Sequence, residues 1–201
     1  MSGMNLLHNQ HRMPRHIQQR AFTLVELLVS VGIFALMTAL VVIKYGNFNQ
    51  SVLLTNLAYD VALTIRTAQT YGLSVKSADD AAASYTSPTY AYGVDLGTGT
   101  NDRFVLYADL NGNAISDSGE QVSTYSIKRG AVISGVCAAD STDCTLGTTG
   151  TLTVLFKRPD PQATICLSSC GMLMGKVELK ATDGGVRTVI IRKNGQITVS
   201  N

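Results

Sequence analysis

The chain has 201 residues, with 16 Lys and Arg against 14 Asp and Glu and a formal net charge of +2. That balance calls for no polyanion partner, and the length suits one helix plus one modest domain with its own core. All three histidines (His8, His11, His16) precede residue 17, which removes Ser-His and Cys-His nucleophile pairs and His-ligated metals from the remainder.

The chain opens with a basic stretch, Arg12, Arg15 and Arg20, that contains no acid. Residues 22–43 are apolar and carry one charge, Glu26. As a helix they extend about 33 Å, enough to cross a hydrocarbon core of roughly 30 Å. The basic flank predicts that the N-terminus stays cytoplasmic and that the chain beyond Ile43 is exported. A secretory signal would have a shorter apolar part followed by a small-x-small cleavage site. Here the small residue, Ala21, stands before the run instead. A carboxylate inside lipid is costly and needs a partner.

Ala21-Phe22-Thr23-Leu24-Val25-Glu26-Leu27-Leu28 resembles the processing motif of type IV pilins and of the pseudopilins of type II secretion. The resemblance implies that a prepilin peptidase cuts between Ala21 and Phe22, removes 1–21 as a cytoplasmic leader and N-methylates Phe22. The family usually has Gly before the cut, and Ala21 is the smallest departure from it. The mature protein would keep 180 residues and be almost neutral, because the leader takes three bases and no acid. It would have no histidine.

Cleavage on this scheme leaves a positive amine on Phe22 one helical turn from Glu26. Two charges that are each costly in lipid become much less so when paired. Glu26 is therefore expected either to receive the amine of an incoming subunit, which would set the axial register of a filament, or to pair with its own terminus.

Beyond Lys44-Tyr45-Gly46-Asn47, apolar or small residues recur at Leu54, Leu57, Ala58, Val61, Ile65, Ala68 and Leu73. This is the spacing of an amphipathic helix, predicted over about 50–75. Asn56, Asp60, Thr64 and Arg66 fall largely off its apolar face, and Gly46 is a weak point between the two helical halves. Residues 77–89 read as a loop. Alternating runs then appear at 90–96, 104–108, 122–127, 131–136, 152–156, 176–180, 186–191 and 196–200, the patterning of strands. Asp183-Gly184-Gly185 and Asn194-Gly195 are tight-hairpin signals. The expected fold is α+β and pilin-like: a long N-terminal helix, half transmembrane (22–43) and half amphipathic (44–76), packed on an antiparallel β domain (77–201).

Residues 53–75 and 104–113, with the acidic turn after them, are similar to the GspH/FimT-type minor pseudopilins. Some competence-associated members have a C-terminal Gly-Arg-x-Arg that contacts DNA. Here the corresponding place reads Gly195-Gln196-Ile197-Thr198, without either arginine. Arg187, Arg192 and Lys193 could still touch phosphate, or could form a solvated strand edge.

Residues 109–120 fit the spacing of a twelve-residue Ca²⁺ loop. Asp109, Asn111, Asn113, Asp117 and Glu120 take places 1, 3, 5, 9 and 12, with the Ile115 carbonyl at place 7. Place 6, normally Gly, is Ala114, and no helices flank the loop. The alternative is a polar turn whose Asx side chains bond their own backbone. No cofactor is expected from the sequence, calcium in this loop being the alternative.

Cys137, Cys144, Cys166 and Cys170 form two local pairs. Export would allow disulfides, paired locally or across, while a Cys₄ zinc site or free thiols are the alternatives. No Gly-x-Ser-x-Gly and no phosphate-cradling Gly-rich loop is present, so no enzymatic role is expected. The expected role is structural: a minor pilin or pseudopilin that assembles through its helix into a secretion pseudopilus or a type IV pilus. The alternative is a filament-tip module that binds DNA or an exported substrate. The partners implied are other pilin subunits, prepilin peptidase, an inner-membrane assembly platform and membrane lipid. The expected location is the inner membrane, followed by a periplasmic or extracellular filament.

Overall fold

The computed structural model describes residues 22–74, 90–100 and 102–200, with backbone alone over 44–49. The leader 1–21, Val75 and the expected loop 77–89 lie outside the described residues. The chain divides into two compact units, 1–43 and 44–201.

Helix α1 runs Leu24–Leu73 and contributes to both units. In the first unit every side chain from Phe22 to Ile43 is exposed. The helix there is apolar on all sides, as suits a segment solvated by lipid rather than by protein. The backbone is helical through Gly46, where the sequence suggests a weak point.

In the second unit the helix is two-faced. Leu54, Ala58, Val61, Ile65 and Ala68 are fully buried, on the predicted spacing. Thr64 departs from expectation: it is buried too, because its hydroxyl donates to the Asp60 carbonyl at 2.8 Å and leaves only a methyl to pack. Near the helix end, Gly72 lies directly on a strand, where an added Cβ would come 2.3 Å from the Phe156 carbonyl oxygen.

Nine strands follow. In chain order they are β1 Ala91–Gly97, β2 Arg103–Asp109, β3 Gln121–Ser126, β4 Val132–Ala139, β5 Thr151–Lys157, β6 Asp160–Cys166, β7 Met174–Lys180, β8 Val186–Arg192 and β9 Ile197–Ser200. They form two antiparallel sheets, one ordered β3-β2-β1-β5-β6 and the other β4-β7-β8-β9. Helix α1 and the inner faces of both sheets share one core. In it Tyr92, Val94, Phe104, Leu106, Val154 and Phe156 of the larger sheet meet Ile133, Val136, Val177, Leu179, Val189 and Ile191 of the smaller.

Strand β6 is not anticipated by the sequence pattern. Pro161 sits inside it, and Asp160, Gln162 and Thr164 are exposed. It is an edge strand, the one sheet position that tolerates proline. Both expected hairpins are present. Gly184 (φ 86°) turns β7 into β8, and Gly195 (φ 82°) turns β8 into β9. The Asp183 and Asn194 side chains each accept a backbone N–H two residues on.

Candidate functional site

The start of α1 is built by four residues. Thr23 is the N-cap: its carbonyl accepts the first helical hydrogen bond, from Leu27, at 3.1 Å. Its hydroxyl oxygen accepts the Glu26 N–H at 3.2 Å. Thr-x-x-Glu is the sequence of a capping box, which satisfies donors that a helix start leaves unpaired. The same positions place the acid in the first turn, where the helix dipole favours negative charge. Phe22 lies just outside the helix and is 76% exposed. Leu24–Ile43 is long and apolar enough to cross a membrane.

A second polar cluster lies on the outer face of the larger sheet. Here the loop between β2 and β3 folds back over β1 and β2. The Asp109 carboxylate accepts three backbone N–H groups, from Gly112 (2.7 Å), Asn113 (3.1 Å) and Ala114 (3.2 Å). Glu120 accepts from Leu110 at 2.9 Å and from Asp117 at 3.0 Å. Both carboxylates are buried, Asp109 at 6% and Glu120 at 3% exposed. The Asn111 and Asn113 side chains accept the N–H groups of Asn113 and Ile115, and their amides donate to Asp117. The loop thus brings together four of the five expected metal-binding side chains, Asp109, Asn111, Asn113 and Asp117, within one bonded turn, with Glu120 closing it. Among the described residues, no three His, Cys, Asp or Glu gather closely enough to hold a metal by those types alone.

Ala114 takes φ 62°, so it makes the turn for which the sequence pattern wanted glycine. Its methyl packs against a small core of Ala91, Tyr107, Leu155 and Cys166. Tyr107 lies across Gly93, its cross-strand partner, where a Cβ would be 2.9 Å from the ring. The Tyr107 hydroxyl is fully buried and has no hydrogen-bond partner. Burial raises its pKa far above the ordinary phenol value, and the carboxylates of Asp95, Asp109, Glu120 and Asp117 add to the rise. Asp95 accepts from the Thr153 hydroxyl and from the Ser116 N–H. Burial nevertheless holds its carboxyl above the usual carboxylate range.

The four cysteines form two local disulfides, Cys137–Cys144 and Cys166–Cys170. The first loop is tied to β7 by the ion pair of Asp143 with Lys176, which lowers the Asp143 pKa. The second borders the same outer face as the acidic loop.

The basic residues considered for phosphate contact do not form one patch. Arg187 is near the start of β8 and donates to the Val186 carbonyl (2.8 Å) and, at 3.5 Å, to the Ser51 hydroxyl. Arg192 and Lys193 are at the strand's other end, beside the Asn194-Gly195 turn. Arg66 of the helix reaches the carbonyl of Gly195 in that turn, at 3.4 Å.

Comparison with known proteins gives one match, to the family model of the prokaryotic N-terminal methylation motif over residues 17–42. No curated protein and no solved structure matches the chain. The matched residues span the Thr23 cap, Glu26 and nearly all of the apolar segment, and the motif implies assembly with other pilin subunits and processing by prepilin peptidase. That motif, with the exposed apolar helix start and the antiparallel β sheets, supports a type IV pilin-like protein.

Proposed function

We propose that this protein is a minor pilin or pseudopilin of the GspH/FimT type. It is a structural subunit rather than an enzyme. The leader is removed at Ala21–Phe22 on the cytoplasmic side of the inner membrane. The trimmed helix waits in lipid with its β domain exported. An assembly platform then moves it into a secretion pseudopilus or a type IV pilus.

The observation that carries this reading is the N-terminal methylation motif on the capped, apolar start of α1. On this reading Glu26 has a mechanical task. It sits in the first helical turn beside the future terminus, so a new amine on Phe22 of one subunit can pair with Glu26 of its neighbour. Pairing offsets the cost of holding either charge in lipid and fixes the axial step between subunits.

Intact mass of the membrane-extracted protein tests the processing step. The expected mass lacks residues 1–21 and carries one added methyl. A mass that includes those 21 residues would sink the proposal.

A further inference from the structure

We propose that the groove between α1 and the turn joining β3 to β4 binds the phosphate headgroup of an anionic phospholipid, in the bilayer that residues 22–43 span on the reading above. The inference rests on that membrane reading and adds a partner to it. The groove lies wholly within 44–201 and has a volume of about 240 Å³. Gln50, Leu53, Asn56 and Asp60 of the helix form one wall, and Lys128 and Arg129 of the turn form the other.

Three observations select this occupant. The first is charge. Lys128 and Arg129 are exposed, and among the described residues neither makes an ion pair. Arg187 brings a third base to the same stretch of helix, where it donates to the Ser51 hydroxyl at 3.5 Å. Asp60 is the acid that lines the groove. Asp183, in the turn between β7 and β8, already accepts the Gly185 N–H. No acid occurs between Glu26 and Asp60, or between Glu120 and Asp140. An arginine beside a lysine suits a phosphodiester, the first as a planar fork of donors and the second as a point charge.

The second observation is reach. Gln50 stands seven residues beyond Ile43, and the backbone between them is helical. Such a connection is about 10 Å long. The headgroup layer takes up about 5–8 Å of it, and the attraction of an anionic surface extends about 8 Å further at physiological salt. The third is Tyr125, which stacks on Phe104, is partly exposed and lines the adjoining cleft with Lys128. Rings with one polar edge are favoured at the level of lipid headgroups.

The test uses the full chain in lipid nanodiscs, made of neutral phosphatidylcholine or with one lipid in three replaced by phosphatidylglycerol. Acetylation of Lys128 by acetic anhydride, read by peptide mass, should be at least about fivefold slower in the anionic discs, the factor that one base gains at an anionic surface. Lys193, at the other end of β8, is the internal control and should react alike in both. Arg129→Gln should remove most of the protection, Arg129→Lys should keep it, and Lys193→Gln should leave it unchanged. Circular dichroism would confirm that the variants are folded. The proposal is overturned if Lys128 reacts equally in the two kinds of disc, or if a folded Arg129→Gln is protected as the wild type is. It is also overturned if inorganic phosphate protects Lys128 in neutral discs as well as the anionic lipid does. A chain that enters neither disc would instead overturn the membrane reading, and the headgroup site with it.

Discussion

The Thr23 hydroxyl oxygen accepts the backbone N–H of Glu26 at 3.2 Å, so the residue that caps the helix also seats the acid in its first turn. The carboxylate itself remains available, because Thr23 takes only the main-chain donor. We expect Glu26→Ala to leave the protein in the membrane fraction and to remove it from sheared filaments. Normal incorporation of that variant would end the pairing argument. Thr23→Ala should weaken the helix start by about 1 kcal/mol and reduce, without abolishing, incorporation. Immunoblots of membrane and filament fractions measure both.

Gly72 and Gly93 are held by contact rather than by backbone angle. A Cβ on Gly72 would sit 2.3 Å from the Phe156 carbonyl oxygen, and one on Gly93 would strike the Tyr107 ring at 2.9 Å. The Phe156 oxygen is backbone in a central part of the sheet and has little room to move. Gly72→Ala should therefore cost about 3 kcal/mol and Gly93→Ala about 1–2 kcal/mol. Gly99→Ala, where nothing lies within 4 Å, is the control and should change stability by less than about 0.5 kcal/mol. Denaturant titration ranks the three.

Each disulfide closes a short loop, with sequence separations of 7 and 4. Loop-closure entropy assigns them about 2–2.5 kcal/mol apiece. Replacing either pair by alanine should lower the melting temperature. Reductant should lower that of the wild type and have no effect once both pairs are gone.

Burial raises the Asp95 pKa from its ordinary 3.8. A carboxyl whose folded pKa lies above the unfolded value favours folding when protonated. Its unfavourable contribution is absent below about pH 3.8, grows as pH climbs through the raised value and is complete above it. Wild type should therefore lose stability relative to Asp95→Asn as pH rises from about 3.8 through the raised value, with no further loss above it. A pH-independent gap between the two, measured by thermal unfolding, would refute the assignment.

Helix and hairpins were legible in the sequence because each announces itself locally. Leu54 to Ala68 repeat at helical spacing, and Gly184 and Gly195 stand where only a tight turn needs them. Strand β6 was not legible, because Pro161 and its polar neighbours match the pattern of a loop until a partner strand supplies the hydrogen bonds. Thr64 misled for a related reason: its burial depends on a bond back to Asp60 that composition does not encode. In the acidic loop, spacing singled out Asp109, Asn111, Asn113, Asp117 and Glu120, which the structure joins in one hydrogen-bonded turn. The placement of Tyr107 was hidden, since a tyrosine in an alternating strand looks like any core residue until Gly93 lets it lie flat across the sheet.

Strand β1 occupies the middle of its sheet, yet its two neighbours come from very different parts of the chain. Val94 faces Leu106 on one side and Val154 on the other. On the proposed topology, with the N-terminus held in the cytoplasm and the chain beyond Ile43 exported in sequence order, the centrepiece would emerge long before the second flank. Until Thr151–Lys157 arrives, one edge of that strand is bare, and Gly72 has no Phe156 carbonyl to rest upon. Such delayed, long-range closure slows maturation and leaves a sticky interval. On that topology the newborn subunit would have reason to remain tethered to lipid, separated from its siblings, until Thr151–Lys157 has crossed.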